Sequence, residues 1–302
     1  SCDNRQCASP PEPTTGTTLG ELAAIANAVV WALTGVVTKG IGKNVRPTHI
    51  VAAQVWIGLA FLLSVGFAIG QIDEFGKIQL RSALYLAGGA LINTAGSLVF
   101  WIALSRSTIS KVYPTTQSIF ISLSVFAGWL FLGDSPQVGV IGGAILIIEP
   151  VGPLKPRRKP RGDFIGIGLG VATSFLWAGG FLSTVIGLED TPPVAAATIR
   201  NLVPAVLFLG VNIFFPSARV TRVFKGNGIR LTASAVLFAL SALTFVVALD
   251  NAPPGVVVVL INTSPMWAVV FAAIMLRERL TRFALGGAAL SMAGIFVTLA
   301  FR

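Results

Sequence analysis

The chain has 302 residues, of which 54% are apolar and 11% are charged, with a formal net charge of +10. A soluble globular domain carries about 25% charged residues, so the shortfall excludes an ordinary water-soluble fold. It also turns the positive balance away from nucleic-acid binding, because the basic residues of a membrane protein gather on cytoplasmic loops.

Residues 1–18 hold Cys2, Cys7, Pro10, Pro11, Pro13 and several threonines without an apolar run, and are expected as a disordered tail. Two cysteines five apart fit no zinc pattern. Apolar runs then predict helices over about 20–41, 49–70, 82–104, 109–132 and 136–154. A basic linker follows at 155–162, Lys155-Pro156-Arg157-Arg158-Lys159-Pro160-Arg161-Gly162. Further runs predict helices over 163–187, 194–215, 229–249, 255–276 and 283–301. Crossing a bilayer takes about 17–25 apolar residues, and hydrocarbon cannot satisfy an open backbone, so spans of this kind must be helical. The expected fold is therefore an all-α membrane protein of ten transmembrane helices.

The second five helices echo the first. Trp31-Ala32 recurs as Trp177-Ala178, Pro47 as Pro193, and Gln54 as Arg200, all at an offset of 146 residues. Ala103-Leu104 recurs as Ala248-Leu249, and Gly142-Gly143 as Gly286-Gly287. The expected organisation is the tail, a first five-helix repeat at 19–154, the linker at 155–162 and a second repeat at 163–302. Each repeat has an odd number of spans, so the two face opposite ways, as inverted repeats around a central cavity. With the linker placed in the cytoplasm, 17 of the 22 Lys and Arg fall on cytoplasmic loops and 4 outside, which puts both termini outside.

The order Ala248-Leu249, Ser264-Pro265, Leu276-Arg277-Glu278-Arg279, Gly286-Gly287 resembles the EamA-type branch of the drug/metabolite transporter superfamily. Ala103-Leu104-Ser105-Arg106, Tyr113-Pro114 and Leu132-Gly133-Asp134 give the first-half version, and Trp31-Ala32, Trp177-Ala178 and Thr198-Ile199-Arg200 match further motifs over about 20–301. The chain departs from the pattern at Gln54, Asp134 and Phe120. The resemblance implies two inverted five-helix repeats enclosing a cavity and the movement of small metabolites, often by export. It also implies cytoplasmic termini, against the charge count.

Arg200 lies about seven residues into a span, where a guanidinium is costly unless it is paired or lines water. Its fork suits a carboxylate or phosphate; snorkelling to an interface is the structural alternative. Its repeat mate Gln54 is neutral. Lys111 opens the fourth helix before Tyr113-Pro114, either near the site or as a loop cation. Glu149 interrupts the fifth span, as a proton- or ion-coupling carboxylate or as a residue at the water boundary. Trp31 and Trp177 sit mid-span, away from the usual interfacial belts, as cavity walls or as packing. Asn93, Gln117 and Asn262 carry amides into spans, where they join helices or face the substrate. Pro114, Pro204 and Pro265 are candidate hinges.

No Gly-x-x-x-x-Gly-Lys-Ser/Thr loop occurs, and no metal-ligand spacing or nucleophile–base pair is evident. The expectation is a non-enzymatic, monomeric plasma- or inner-membrane protein without cofactor or metal, with the lipid bilayer and a small solute as its partners. It reads as a secondary transporter, exporting amino acids or other carboxylate-bearing solutes by alternating access. The rival readings are a carrier of neutral amphiphiles or lipid-like drugs, and a non-transporting membrane enzyme or receptor.

Overall fold

The computed structural model describes residues 15–41, 45, 47–71, 75–76, 78–106, 109–132, 141–142, 145, 160–189, 191–214, 221–275 and scattered positions from 286 to 301. The helices are α1 (Thr15–Lys39), α2 (Pro47–Ala68), α3 (Leu80–Arg106), α4 (Ile109–Leu132), α5 (Pro160–Gly187), α6 (Pro193–Phe214), α7 (Thr221–Asn251), α8 (Pro254–Ile261) and α9 (Ser264–Met275). No strand occurs among the described residues. Seven spans in this set are long and apolar enough to cross a bilayer, and a shorter apolar helix runs over Thr115–Phe131. The expected fifth and tenth helices, at 136–154 and 283–301, lie mostly outside the described residues.

Helix ends follow local chemistry. α2 stops at Gly70, whose φ of +69° only glycine adopts freely. There the Gln71 N–H donates to the Gly66 carbonyl at 2.9 Å and the Gly70 N–H to that of Phe67 at 3.1 Å, a Schellman closure. α1 starts at Thr15, inside the segment expected as a tail. Past Pro13 no proline bars the backbone, and extending an existing helix adds one hydrogen bond per residue fixed. α5 likewise starts at Pro160, within the expected linker, and proline is well suited to the first turn. α7 begins eight residues before the expected 229 and passes through Gly226 at φ +91°.

The helix expected over 255–276 is instead two segments. α8 ends at Ile261, and α9 begins at Ser264 after the turn Asn262-Thr263. Pro265 explains the break. It has no N–H for the Ile261 carbonyl, and its ring crowds that carbonyl. Side chains take over as donors: Asn262 Nδ2 donates to the Val258 carbonyl at 2.6 Å, and Thr263 Oγ1 to that of Leu260 at 2.7 Å.

The principal contacts among the described residues join helices of different halves. α1 lies along α7 and α3 along α5. α4 packs on α5 while α1 packs on α8 and α9, α2 packs on α7 while α3 packs on α6, and α2 packs on α6. The halves are therefore interleaved along a shared seam. Where α2 meets α7 the seam is made by small residues, since a Cβ added at Gly58 would lie 3.2 Å from that of Ala239. On the α3–α5 side it rests on glycines, since a Cβ added at Gly180 would lie 3.1 Å from the Gly89 carbonyl oxygen. Lipid gives little hydrophobic drive between helices, so such close approach and polar clamps hold them. Asn27 Nδ2 donates to the Ser241 carbonyl at 2.6 Å, and Ser174 Oγ donates to the Thr116 carbonyl at 2.8 Å.

Candidate functional site

Rings from both halves meet in the middle of the seam. Trp31 of α1 and Trp177 of α5 stand edge to face with centroids 6.4 Å apart. Phe238 of α7 lies 6.2 Å from Trp31, and Phe100 of α3 and Phe120 of α4 lie 5.0 and 6.2 Å from Trp177. The series continues from Phe120 to Phe181 at 6.3 Å and from Phe181 to Phe245 at 6.2 Å. It ends at Arg200 of α6, whose Cζ sits 4.7 Å from the centre of the Phe245 ring. A guanidinium over a ring face gains a cation–π attraction that grows as water is excluded.

That attraction leaves the fork of Arg200 largely unused. Nε and Nη1 are enclosed and have no hydrogen-bond partner among the described residues. The backbone carbonyl of the same residue has lost one donor. Pro204 lies inside α6, four residues on, and its missing N–H deprives the Arg200 carbonyl of its helical donor. Arg200 thus offers two free donors on its side chain and an acceptor on its main chain. Asn201 Oδ1, beside Arg200 in sequence, and Trp177 Nε1 of the ring series are also buried without a partner among the described residues.

The remaining candidates are placed differently. Gln54 is buried, and its Nε2 donates to Ser234 Oγ at 2.8 Å, while Ser234 Oγ also bonds Thr38 Oγ1 at 2.7 Å. Gln54 therefore serves as a clamp between α1, α2 and α7. Asn93 is partly buried in the α3–α5 crossing, where a Cβ at Gly180 would meet its Cβ at 3.2 Å. Gln117 is buried in α4, and Asn262 sits in the break between α8 and α9. Pro204 lies inside the continuous α6, and Pro265 follows the break between α8 and α9; Pro114 and Lys111 belong to α4, with side chains outside the described residues. Glu149 lies outside the described residues. The phenylalanines of the ring series were not singled out from sequence, except Phe120 as a departure from a motif. Their only signal was an aromatic residue near mid-span, which apolar packing also produces.

The EamA-like transporter family model matches residues 18–149 and 164–300. The chain belongs to the EamA-like transporter family. With its run of apolar helices, it is a multi-pass membrane transporter. Among related proteins, an uncharacterized transporter of Archaeoglobus fulgidus is 24% identical over 290 residues, which is 91% of this chain and 94% of that one. The Bacillus subtilis uncharacterized transporter YvbV is 31% identical over 148 residues, 47% of each chain. A protein crystal structure at 16% identity superposes with a TM-score of 0.75 over 94% of this chain and 99% of its own. That last likeness concerns the fold alone.

Proposed function

We propose that this EamA-like protein is a secondary transporter of small carboxylate-bearing solutes, amino acids foremost, working by alternating access between two inverted five-helix repeats. Reciprocal packing supports the repeat arrangement. When α1, α2, α3 and α4 are matched with α5, α6, α7 and the α8–α9 pair, each contact between halves has a counterpart with the roles exchanged. Trp31 touches its own repeat mate Trp177, as residues on a two-fold axis do.

The observation that carries the substrate class is Arg200. Its unpartnered Nε and Nη1 suit a carboxylate, and the carbonyl freed by Pro204 suits an ammonium. The two together fit a zwitterion. The aromatic series would wall the apolar part of the solute. Pro204 and the Pro265 break are placed to let α6 and the α8–α9 segment swing as the site opens to one side and then the other. Export is the direction the family resemblance favours; the protein acts as a monomer in the plasma or inner membrane, with termini outside by the charge count and against the family pattern.

A thermal-shift screen of the purified protein tests this reading, because a ligand bound only by the folded state raises its melting temperature. Amino acids should raise it more than their decarboxylated amines do. Equal shifts from acids and amines would remove the carboxylate from recognition. The aromatic series favours a second reading, transport of neutral amphiphiles, and in that case amphiphiles alone would give the shift.

A further inference from the structure

On the outer flank of the α3–α5 crossing lies a groove of about 590 Å³, lined by Arg81, Leu84, Tyr85, Gly88 and Ile92 of α3 and Ser183 of α5. The spacing 81, 84, 85, 88, 92 is one helical face. Leu84 and Ile92 are exposed on it. The hydroxyl of Ser183 is already used, donating to the Tyr85 carbonyl at 2.7 Å. Gly88 makes the room, since a Cβ there would meet nothing within 4 Å. Its neighbour Gly89 is turned toward α5, where a Cβ would meet the Gly180 carbonyl oxygen and the Ser183 Cβ at 3.1 Å.

The groove has one cation, and it sits at one end. Arg81 lies in the first turn of α3, with its Cζ 5.9 Å from the Tyr85 ring centre. From Arg81 to Ile92 the helix rises about 16 Å, roughly half the hydrocarbon thickness of a bilayer. A positive rim above an apolar trough that reaches the bilayer middle is complementary to one molecule of the surroundings. We infer that the groove binds an anionic phospholipid, with its phosphate at Arg81 and an acyl chain along Leu84, Gly88 and Ile92. A neutral helix of a partner would bury the arginine without a counter-charge, which an anionic headgroup supplies. General attraction to basic loops does not account for the site. Arg81 belongs to the cation-poor face, which the charge count separates from the linker and its neighbouring basic loops.

The test uses the full chain in phosphatidylcholine nanodiscs doped with phosphatidylglycerol bearing a photoreactive acyl chain, and a matched phosphatidylcholine probe. Cross-links are mapped by mass spectrometry. The phosphatidylglycerol probe should label the 84–92 segment, and Arg81→Gln should cut that yield about fivefold, the effect expected of one cation at the membrane surface. Gly88→Leu puts a side chain into the trough from a Cβ position with nothing within 4 Å, and should reduce labelling while the melting temperature stays within a few degrees of wild type. Equal labelling by both lipid probes, or yields unchanged in both variants, would overturn the inference. So would a dimer mass that Gly88→Leu dissolves, since a second copy of the chain would then occupy the groove.

Discussion

Replacing Arg200 by methionine separates a substrate-binding arginine from a structural one by the sign of the stability change. Two guanidinium donors are enclosed without a partner among the described residues. Each such donor costs about 1–3 kcal/mol, so together they cost roughly 2–6 kcal/mol. The contact with Phe245 returns about 2 kcal/mol at a desolvated site. Methionine fills similar space, favours a helix and has nothing to leave unpaired. The net expectation is a stabilisation of about 2 kcal/mol. At about 2–4 °C per kcal/mol for chains of 150–250 residues, the melting temperature should rise roughly 4–8 °C in thermal unfolding of the detergent-solubilised protein. Transport of carboxylate-bearing solutes in proteoliposomes should fall to background in the same variant. A stabilised but inactive protein is the signature of a strained functional site. A fall of several degrees with transport retained would make Arg200 a structural brace and refute the reasoning.

Pro204→Ala restores an N–H for the Arg200 carbonyl. It should weaken the melting-temperature shift given by amino acids while sparing that given by the corresponding acids without an amine. Loss of both shifts, or of neither, would place the freed carbonyl outside recognition. Gly180→Ala sets a methyl 3.1 Å from the Gly89 carbonyl oxygen, a backbone atom that cannot rotate away. Denaturant titration should show a loss of about 1–3 kcal/mol, the usual range for overpacking. Asn27→Leu removes the amide that donates to the Ser241 carbonyl; polar bonds between membrane helices are worth about 0.6–2 kcal/mol, and the same titration should register a loss in that range. A reporter enzyme active only in the cytoplasm, fused after Arg302, should stay silent if the charge count sets the topology.

Much of the architecture was legible because bilayer thickness and proline chemistry leave few choices. α4 runs over the span its apolar pattern marks, and α2 and α6 shift by no more than two residues. The break before Pro265 was readable as a hinge but not as a two-residue turn. That outcome depends on Asn262 and Thr263 having carbonyls within reach to replace the lost helical donors. Arg200 stood out because a charge inside an apolar run is rare, and Trp31 and Trp177 because they recur at one offset. Helix pairing was not legible. Spans that are apolar on every side carry no stripe to say which face meets which neighbour. The same limit hid the role of Gln54, whose partner Ser234 is 180 residues away, and the different surroundings of Gly88 and Gly89.

The most direct measurement is counterflow in proteoliposomes. Vesicles holding the purified protein are preloaded with an unlabelled amino acid and diluted into a trace of the labelled one. A carrier with one site alternating between the two faces should accumulate label transiently above its equilibrium level, and Arg200→Met should abolish that overshoot. Label that only equilibrates, without an overshoot and regardless of Arg200, would contradict a single alternating site at the seam.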